Sequence, residues 1–179
     1  MKAPDYLHLP CYNKKEGQWY VVVETPRRGR HKFKYEPKLG VFTLHRMLPE
    51  GMYFPCDFGF LPSTKASDGD PIDVLVFMKD PTFTGCVIPS RLIGVIEATQ
   101  TEEDGTKERN DRLLAVPAES RSESDIKSAK DLNSHMIEEI ETFFVNYNRI
   151  FGKEFKLLGV RGPKTAENLV RDAMRAMRK

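Results

Sequence analysis

Three aspartates, Asp68, Asp70 and Asp73, fall within the run Asp68-Gly69-Asp70-Pro71-Ile72-Asp73, which opens directly into the apolar stretch Val74-Leu75-Val76-Phe77. Carboxylates crowded in this way repel one another unless cations lie between them, and hard, oxygen-seeking Mg²⁺ or Mn²⁺ is the natural occupant. Glycine permits a sharp turn, proline fixes one backbone dihedral, and the apolar run anchors the turn in a core, so the acids are aimed. The alternative is an ordinary solvated turn, because Asp, Gly and Pro dominate turns generally. A calcium-binding hand is excluded: its loop needs an acid where Ile72 stands and a glutamate where Lys79 stands.

Further charges sit among aromatic and apolar residues: Glu24 ending an apolar strand pattern, Lys34 and Glu36 flanking Tyr35, and Arg46 after His45. Strand alternation places Lys34 and Glu36 on one face. A surface holding acids for metal beside fixed cations suits a metal-bound polyphosphate, because metal and Arg/Lys together neutralise transferring phosphoryl oxygens. Taken alone, the same charges also describe surface ion pairs, each worth little energetically.

Strands must position these groups. Trp19 to Thr25, Phe33 to Tyr35, Val41 to Leu44, Val74 to Phe77, Leu92 to Ile96 and Leu113 to Val116 are short and rich in β-branched or aromatic residues, with Gly, Pro and charged clusters between them. Many short strands point to a small closed barrel. The last third changes period: Met136, Ile137, Ile140, Phe143, Phe144 and Tyr147 recur at helical spacing between Asn133-Ser134 and Gly152. A second amphipathic helix is predicted from Thr165, with Ala166, Leu169, Val170, Ala173, Met174 and Met177 on its apolar face and Arg171, Arg175 and Arg178 on its charged one. Both faces are expected to pack on the barrel. Glu102-Glu103-Asp104-Gly105 reads as an exposed acidic turn. The fold class is therefore α+β, mainly β, with residues 1–179 as a single domain.

Composition narrows the function. The 179 residues are 40% hydrophobic and 30% charged, a soluble globular balance, and the start Met1-Lys2-Ala3-Pro4-Asp5 lacks the apolar core of a signal peptide. No run is long enough to cross a bilayer, so a cytoplasmic protein is expected. Cys11, Cys56 and Cys86 and the four histidines lack zinc-site spacing. A formal charge of +2 is too small for a dedicated nucleic-acid binder. Arg27-Arg28-Gly29-Arg30-His31-Lys32 is a local exception, read as a solvated loop or the positive wall of a small-anion site.

The combined pattern resembles the soluble family I inorganic pyrophosphatases. The resemblance runs from about Tyr20 to Met177 through Val23-Glu24-Thr25-Pro26, Lys34-Tyr35-Glu36, Arg46, Phe54-Pro55-Cys56-Asp57-Phe58-Gly59-Phe60, Asp68 to Leu75, Ile93-Gly94-Val95, Ala115-Val116-Pro117 and Ile140-Glu141-Thr142-Phe143-Phe144 with Tyr147. It implies a five-stranded closed barrel of OB type with flanking C-terminal helices. It also implies Mg²⁺-dependent hydrolysis of inorganic pyrophosphate by direct attack of metal-bound hydroxide, with Mn²⁺ as a possible substitute. Asp68 and Asp73 would ligate metal, Asp70 would orient and deprotonate the water, and Glu36 would hold substrate-bound metal through water. Glu24 would support the pocket, while Lys34, Arg46 and Tyr147 would grip phosphate. A homo-oligomer, with a hexamer favoured, follows from the same resemblance.

Several positions depart from the family pattern. Phe54 and Phe58 stand where the family has tyrosines, Gln100 and Asn110 where it has metal-binding aspartates, Arg112 for a lysine and Asn148 for the lysine after Tyr147. Amide oxygens of Gln100 and Asn110 still serve as weaker Mg²⁺ ligands. Adjacent Asp111 is expected to face the other side of a regular strand unless a bulge turns it inward, and Glu102, Glu103 or Asp104 could reach back. Arg112 favours a bidentate grip on phosphate. Because the replacements are chemically related, they read as a remodelled site. The rival functions are hydrolysis of an organic diphosphate and metal or phosphate sensing without catalysis; an OB-type nucleic-acid module is disfavoured by the acids on the binding face.

Overall fold

A computed structural model describes residues 4–177. Five strands close into a ring: β2 (Gln18–Thr25), β5 (Asp57–Phe60), β6 (Asp73–Val76), β7 (Val87–Thr101) and β9 (Arg112–Pro117). β2 pairs with β5, β5 with β6, β6 with β9, β9 with β7, and β7 returns to β2. Only the β6–β9 pairing in this ring is parallel. The order first-second-third-fifth-fourth, with one parallel seam, is the OB-type barrel expected from the sequence.

Closure depends on β7, whose 15 residues serve several neighbours in turn. Val87 to Ser90 pair with β2, Ser90 to Ile96 with β9, and Val95 to Thr101 with β10 (Glu154–Arg161). Thr99 to Thr101 also meet β8 (Lys107–Arg109) on the other edge. A short β1 (Tyr12–Asn13) adds to β2, and a separate hairpin of β3 (His31–Glu36) and β4 (Val41–Met47) lies beside it. The segments of β2, β3, β4, β6, β7 and β9 are those expected from sequence; β1, β5, β8 and β10 are not. Phe58-Gly59-Phe60 is too short a run to show alternation, and β10 carries Lys156 and Gly159 among its apolar residues.

Alternation divides the barrel strands into two packed faces. Val21, Val23, Val74, Val76, Leu113 and Ala115 belong to one apolar cluster, joined by Ala166, Val170 and Ala173 of α2 (Pro163–Met177). Phe58, Leu75, Leu114 and Val116 belong to another, covered by α1 (Ser134–Ile150) through Ile140, Phe143, Phe144 and Tyr147. Asn133 caps α1 by accepting the His135 backbone N–H at 3.0 Å, as the polar start suggested. Both helices thus pack as expected, although α2 starts at Pro163 and its Met177 remains exposed.

Bulges matter as much as the strands. The β2–β5 register shifts between Val23 and Thr25, so Glu24 is the additional residue and is aimed by the bulge. The β3–β4 register shifts between Lys32 and Phe33, which leaves His45 as an additional residue beside Arg46. At the Glu24 bulge the backbones approach so closely that a Cβ on Gly59 would stand 2.0 Å from the Val22 carbonyl oxygen. Gly59→Ala should therefore separate β2 from β5, and we expect a loss of at least several kcal/mol, read as a collapse of the denaturant midpoint or as insoluble protein. A variant that unfolds at the wild-type midpoint would contradict this close approach.

Candidate active site

The acidic turn is built before it is used. The Ala66 N–H donates to the Asp70 carbonyl at 2.8 Å, Gly69 N–H to the Ala66 carbonyl at 3.1 Å, and Asp70 N–H to Asp68 Oδ1 at 3.0 Å. Gly69 has φ +88, the left-handed region that only glycine enters freely. Beyond it, the Ile72 N–H donates to Thr64 Oγ1 at 3.1 Å, its carbonyl accepts from the Leu61 N–H, and its side chain is buried. The turn is therefore pinned to the barrel immediately before β6, which is what aims three carboxylates in one direction.

They face a cavity of about 750 Å³. Asp68, Asp70, Asp73, Glu24, Glu36, Lys34, Arg46, Arg112, Tyr147, Gln100 and Asn110 all line it, so residues from the hairpin, β6, β7, β9 and α1 meet there. Asp111 does not line it. Its Oδ1 accepts the Ala98 backbone N–H at 3.0 Å and Arg109 Nε at 2.6 Å, on the other side of the strand. Alternation thus wins over inward rotation at Asp111. His45, Glu108 and Lys153 line the same cavity without having been assigned roles from sequence; Lys32, from the basic run read as a loop or anion wall, Glu102, one of three acids expected to be able to reach back, and Asn148 line it too. Lys32 was legible, two residues from Lys34 on the same strand face; His45 depends on a bulge that no local pattern announces.

Charge is crowded here. Lys34 Nζ lies 2.9 Å from Asp70 Oδ2. Burial raises the Asp68 carboxyl, as does repulsion from Asp70, against the backbone bond that lowers it. Burial likewise raises Asp73; Arg112 and Lys32 oppose this, while Asp68 and Asp70 add to it. Arg112 is 3% exposed, with its guanidinium carbon 4.1 Å from the Phe144 ring and 4.7 Å from the Phe155 ring. Its Nη1 donates to the Asn110 carbonyl at 3.0 Å, and its Nε, 3.9 Å from Asp73 Oδ2, is a buried donor without a hydrogen-bond partner. Lys32 Nζ sits 4.8 Å over Phe58 and 5.6 Å over Tyr147, so the Phe58 ring is used although it lacks a hydroxyl. Arg46 stacks 4.2 Å over Phe151.

The far wall is amide-rich. Gln100 and Asn110 are bonded to each other, and Gln100 also bonds Glu102, which pairs with Lys153 at 2.6 Å. The bond to Lys153, and then that to Gln100, hold the Glu102 carboxyl below its ordinary value. The acidic turn is thus only partly exposed as expected: Glu103 and Asp104 face solvent, whereas Glu102 turns inward. Among the described residues no three His, Cys, Asp or Glu side chains are gathered closely enough to cage an ion. The donors of the Asp68–Asp73 turn nevertheless suit a small hard cation: they are carboxylate oxygens, and burial, with added repulsion from neighbouring acids, raises Asp68 and Asp73.

Comparison with known proteins agrees with this geometry. Residues 21–178 match the family model described as inorganic pyrophosphatase. The chain belongs to the inorganic pyrophosphatase family. It is 35% identical over 150 residues to the inorganic pyrophosphatase of Geobacillus stearothermophilus, covering 84% of this chain and 88% of that one. Against the inorganic pyrophosphatase of Synechocystis sp. it is 37% identical over 155 residues, covering 87% and 88%. The crystal structure of inorganic pyrophosphatase from Thermus thermophilus superposes with a TM-score of 0.90 at 32% identity, covering 98% of this chain and all of that one. Membership is thus carried by nearly the whole chain, and the inorganic pyrophosphatase fold accounts for the barrel, the hairpin and both helices.

Glu24 is a buried carboxyl of the same cavity. Burial raises it from 4.5 to about 7; Lys32 and the Tyr35 N–H at 3.1 Å oppose the rise, and Asp73 adds to it. Its folded form binds a proton that the unfolded chain has released, so the stability it contributes is intact below about pH 4.5 and falls as pH rises toward about 7. With divalent ions chelated, Glu24→Gln should unfold like the wild type near pH 4 and be more stable by about 3 kcal/mol near pH 8. Denaturant titrations across that range check this; a difference that ignores pH would refute it.

Proposed function

We propose that this chain hydrolyses inorganic pyrophosphate to two phosphates, with Mg²⁺ as cofactor and Mn²⁺ as a substitute. The observation that carries the reading is the convergence, in one cavity, of the Asp68–Asp70–Asp73 turn and Glu36 with the cations Lys34, Arg46 and Arg112 and with Tyr147. Asp68, Asp70, Asp73 and Glu36 would hold Mg²⁺, with Gln100 and Asn110 as weaker oxygen donors opposite. Bound there, Mg²⁺ would supply Lewis acidity, neutralising phosphoryl oxygens and making water a better nucleophile near neutral pH.

The chain's own groups do the rest. Asp70 takes a proton from the attacking water as its oxygen bonds to one phosphorus, and the bridging P–O bond breaks to release the second phosphate. Lys34, Arg46 and Tyr147 hold the non-bridging oxygens, and Arg112 extends this positive surface from the back wall while offsetting Asp73. Glu24, bonded to the Tyr35 N–H, keeps the hairpin carrying Lys34 and Glu36 seated on β2. We also infer a single domain over residues 1–179, a cytoplasmic homo-oligomer with a hexamer favoured, and neither nucleic acid nor membrane as partner. No helix among the described residues is long and apolar enough to span a bilayer.

Phosphate release from pyrophosphate against Mg²⁺ concentration tests the reading directly. Wild type should turn over only with the divalent ion, and Asp70→Asn should lose roughly 10²- to 10⁴-fold in kcat with its fold retained. Binding of pyrophosphate without turnover would instead identify a sensor.

A further inference from the structure

Behind the acidic turn lies a second cavity, of about 330 Å³, on the face to which Asp111 turns. Its floor is apolar, with Ala66 and Ile72 on one side and Leu169, Ala173 and Ala176 of α2 on the other. That volume is within the range of small-molecule sites and does not admit a helix of another chain.

The residues of its floor also build the turn. The Ala66 N–H donates to the Asp70 carbonyl, and the Ala66 carbonyl accepts from the Gly69 N–H. Ile72 is the residue that pins the turn to the barrel. Ser67 Oγ donates to the Arg109 carbonyl at 3.0 Å, and the Lys65 N–H donates to the Ala173 carbonyl of α2 at 3.2 Å. One wall of this cavity is therefore the reverse side of the segment that aims Asp68, Asp70 and Asp73.

The rim decides the charge of an occupant. Asp111 Oδ1 is taken by Arg109 and by the Ala98 N–H, and Arg109 also reaches Glu97 at 3.0 Å. Asp172 is paired with Arg175 at 2.9 Å. The Lys65 ammonium, at the same rim, has no acid or hydrogen-bond partner among the described residues. Of the charges around this mouth, the uncommitted one is positive.

We propose that this cavity is a second ligand site, which takes a small amphipathic monocarboxylate. The hydrocarbon body lies against Ile72, Leu169 and Ala173, where burial of apolar surface favours it, and the carboxylate pairs with Lys65. Such a ligand fits the wall that Ala66, Ser67 and Ile72 form when the turn is closed, so it favours the closed turn. Binding here and divalent binding at Asp68–Asp73 therefore reinforce each other. The site itself goes beyond the pyrophosphatase reading; only its coupling to the metal rests on that reading.

Phenylbutyrate, followed by methyl NMR of the full chain, tests this, because the Ala66, Ile72, Leu169, Ala173 and Ala176 methyls report on the cavity directly. Without metal these signals should shift saturably, with a dissociation constant of roughly 0.1 to 1 mM. Lys65→Met should weaken binding about three- to tenfold, while uncharged phenylbutanol binds wild type and variant alike. Ala176→Phe fills the cavity from an exposed position of α2 and should abolish the shifts with thermal unfolding unchanged. With the probe saturating, the Mg²⁺ dissociation constant read by calorimetry should fall by about twofold or more in wild type and stay constant in Ala176→Phe. Methyls that stay unmoved up to about 10 mM probe, or that still shift in Ala176→Phe, overturn the site. Acid and alcohol binding equally well to wild type overturn the carboxylate class, and Mg²⁺ binding that ignores the probe overturns the coupling. A chain that takes up phenylbutyrate in this way but neither Mg²⁺ nor pyrophosphate overturns the pyrophosphatase reading and the coupling, and leaves the site standing.

Discussion

The burial of several carboxyl groups together is the constraint to which the site answers. Glu24, Asp68, Asp70 and Asp73 line one cavity, and burial first, then repulsion from neighbouring acids, raises Glu24, Asp68 and Asp73. The fold distributes cations against them: Lys34 bonds Asp70, Arg112 stands by Asp73, and Lys32 acts on both Glu24 and Asp73. Each cation is anchored on an element other than the acidic turn. The cavity therefore exists only when hairpin, barrel and α1 are assembled together, and the acids tie chemistry to tertiary structure.

The barrel supplies rigidity, and its irregularities supply direction. A regular β2 would place Glu24 according to strict alternation with Val23 and Thr25; the register shift uncouples it. A regular β4 would send His45 and Arg46 to opposite faces, yet both line the cavity. On the opposite wall, α1 contributes aromatic rings more than charge. Phe144 supports Arg112 and Tyr147 supports Lys32, so the helix positions cations it does not carry.

Much of this was legible in the chain because the signals are local. The Gly-Pro acidic turn, the spacing of Lys34 and Glu36, and the helical period of Ile140 to Tyr147 each lie within a few residues, and the structure realises all three. Asp111 shows the same logic: simple alternation put it on the far side of its strand, where it bonds Ala98 and Arg109. What escaped depends on distant partners. β5 is a strand because β2 and β6 flank it, His45 enters through a bulge, and which of Glu102, Glu103 and Asp104 turns inward is decided by Lys153 on a later loop. No window of sequence contains those pairings.

The rings beneath Lys32 carry a consequence of their own. An ammonium paired with a carboxylate commits N–H donors to it, whereas an aromatic face attracts the charge through its quadrupole and leaves the N–H groups uncommitted. Among the described residues Lys32 has no hydrogen-bond acceptor; Phe58 and Tyr147 hold it from below. A benzene ring at position 58 thus provides the cushion without an oxygen that would compete for the cation. The aromatic floor leaves the N–H groups of Lys32 open to whichever anion arrives.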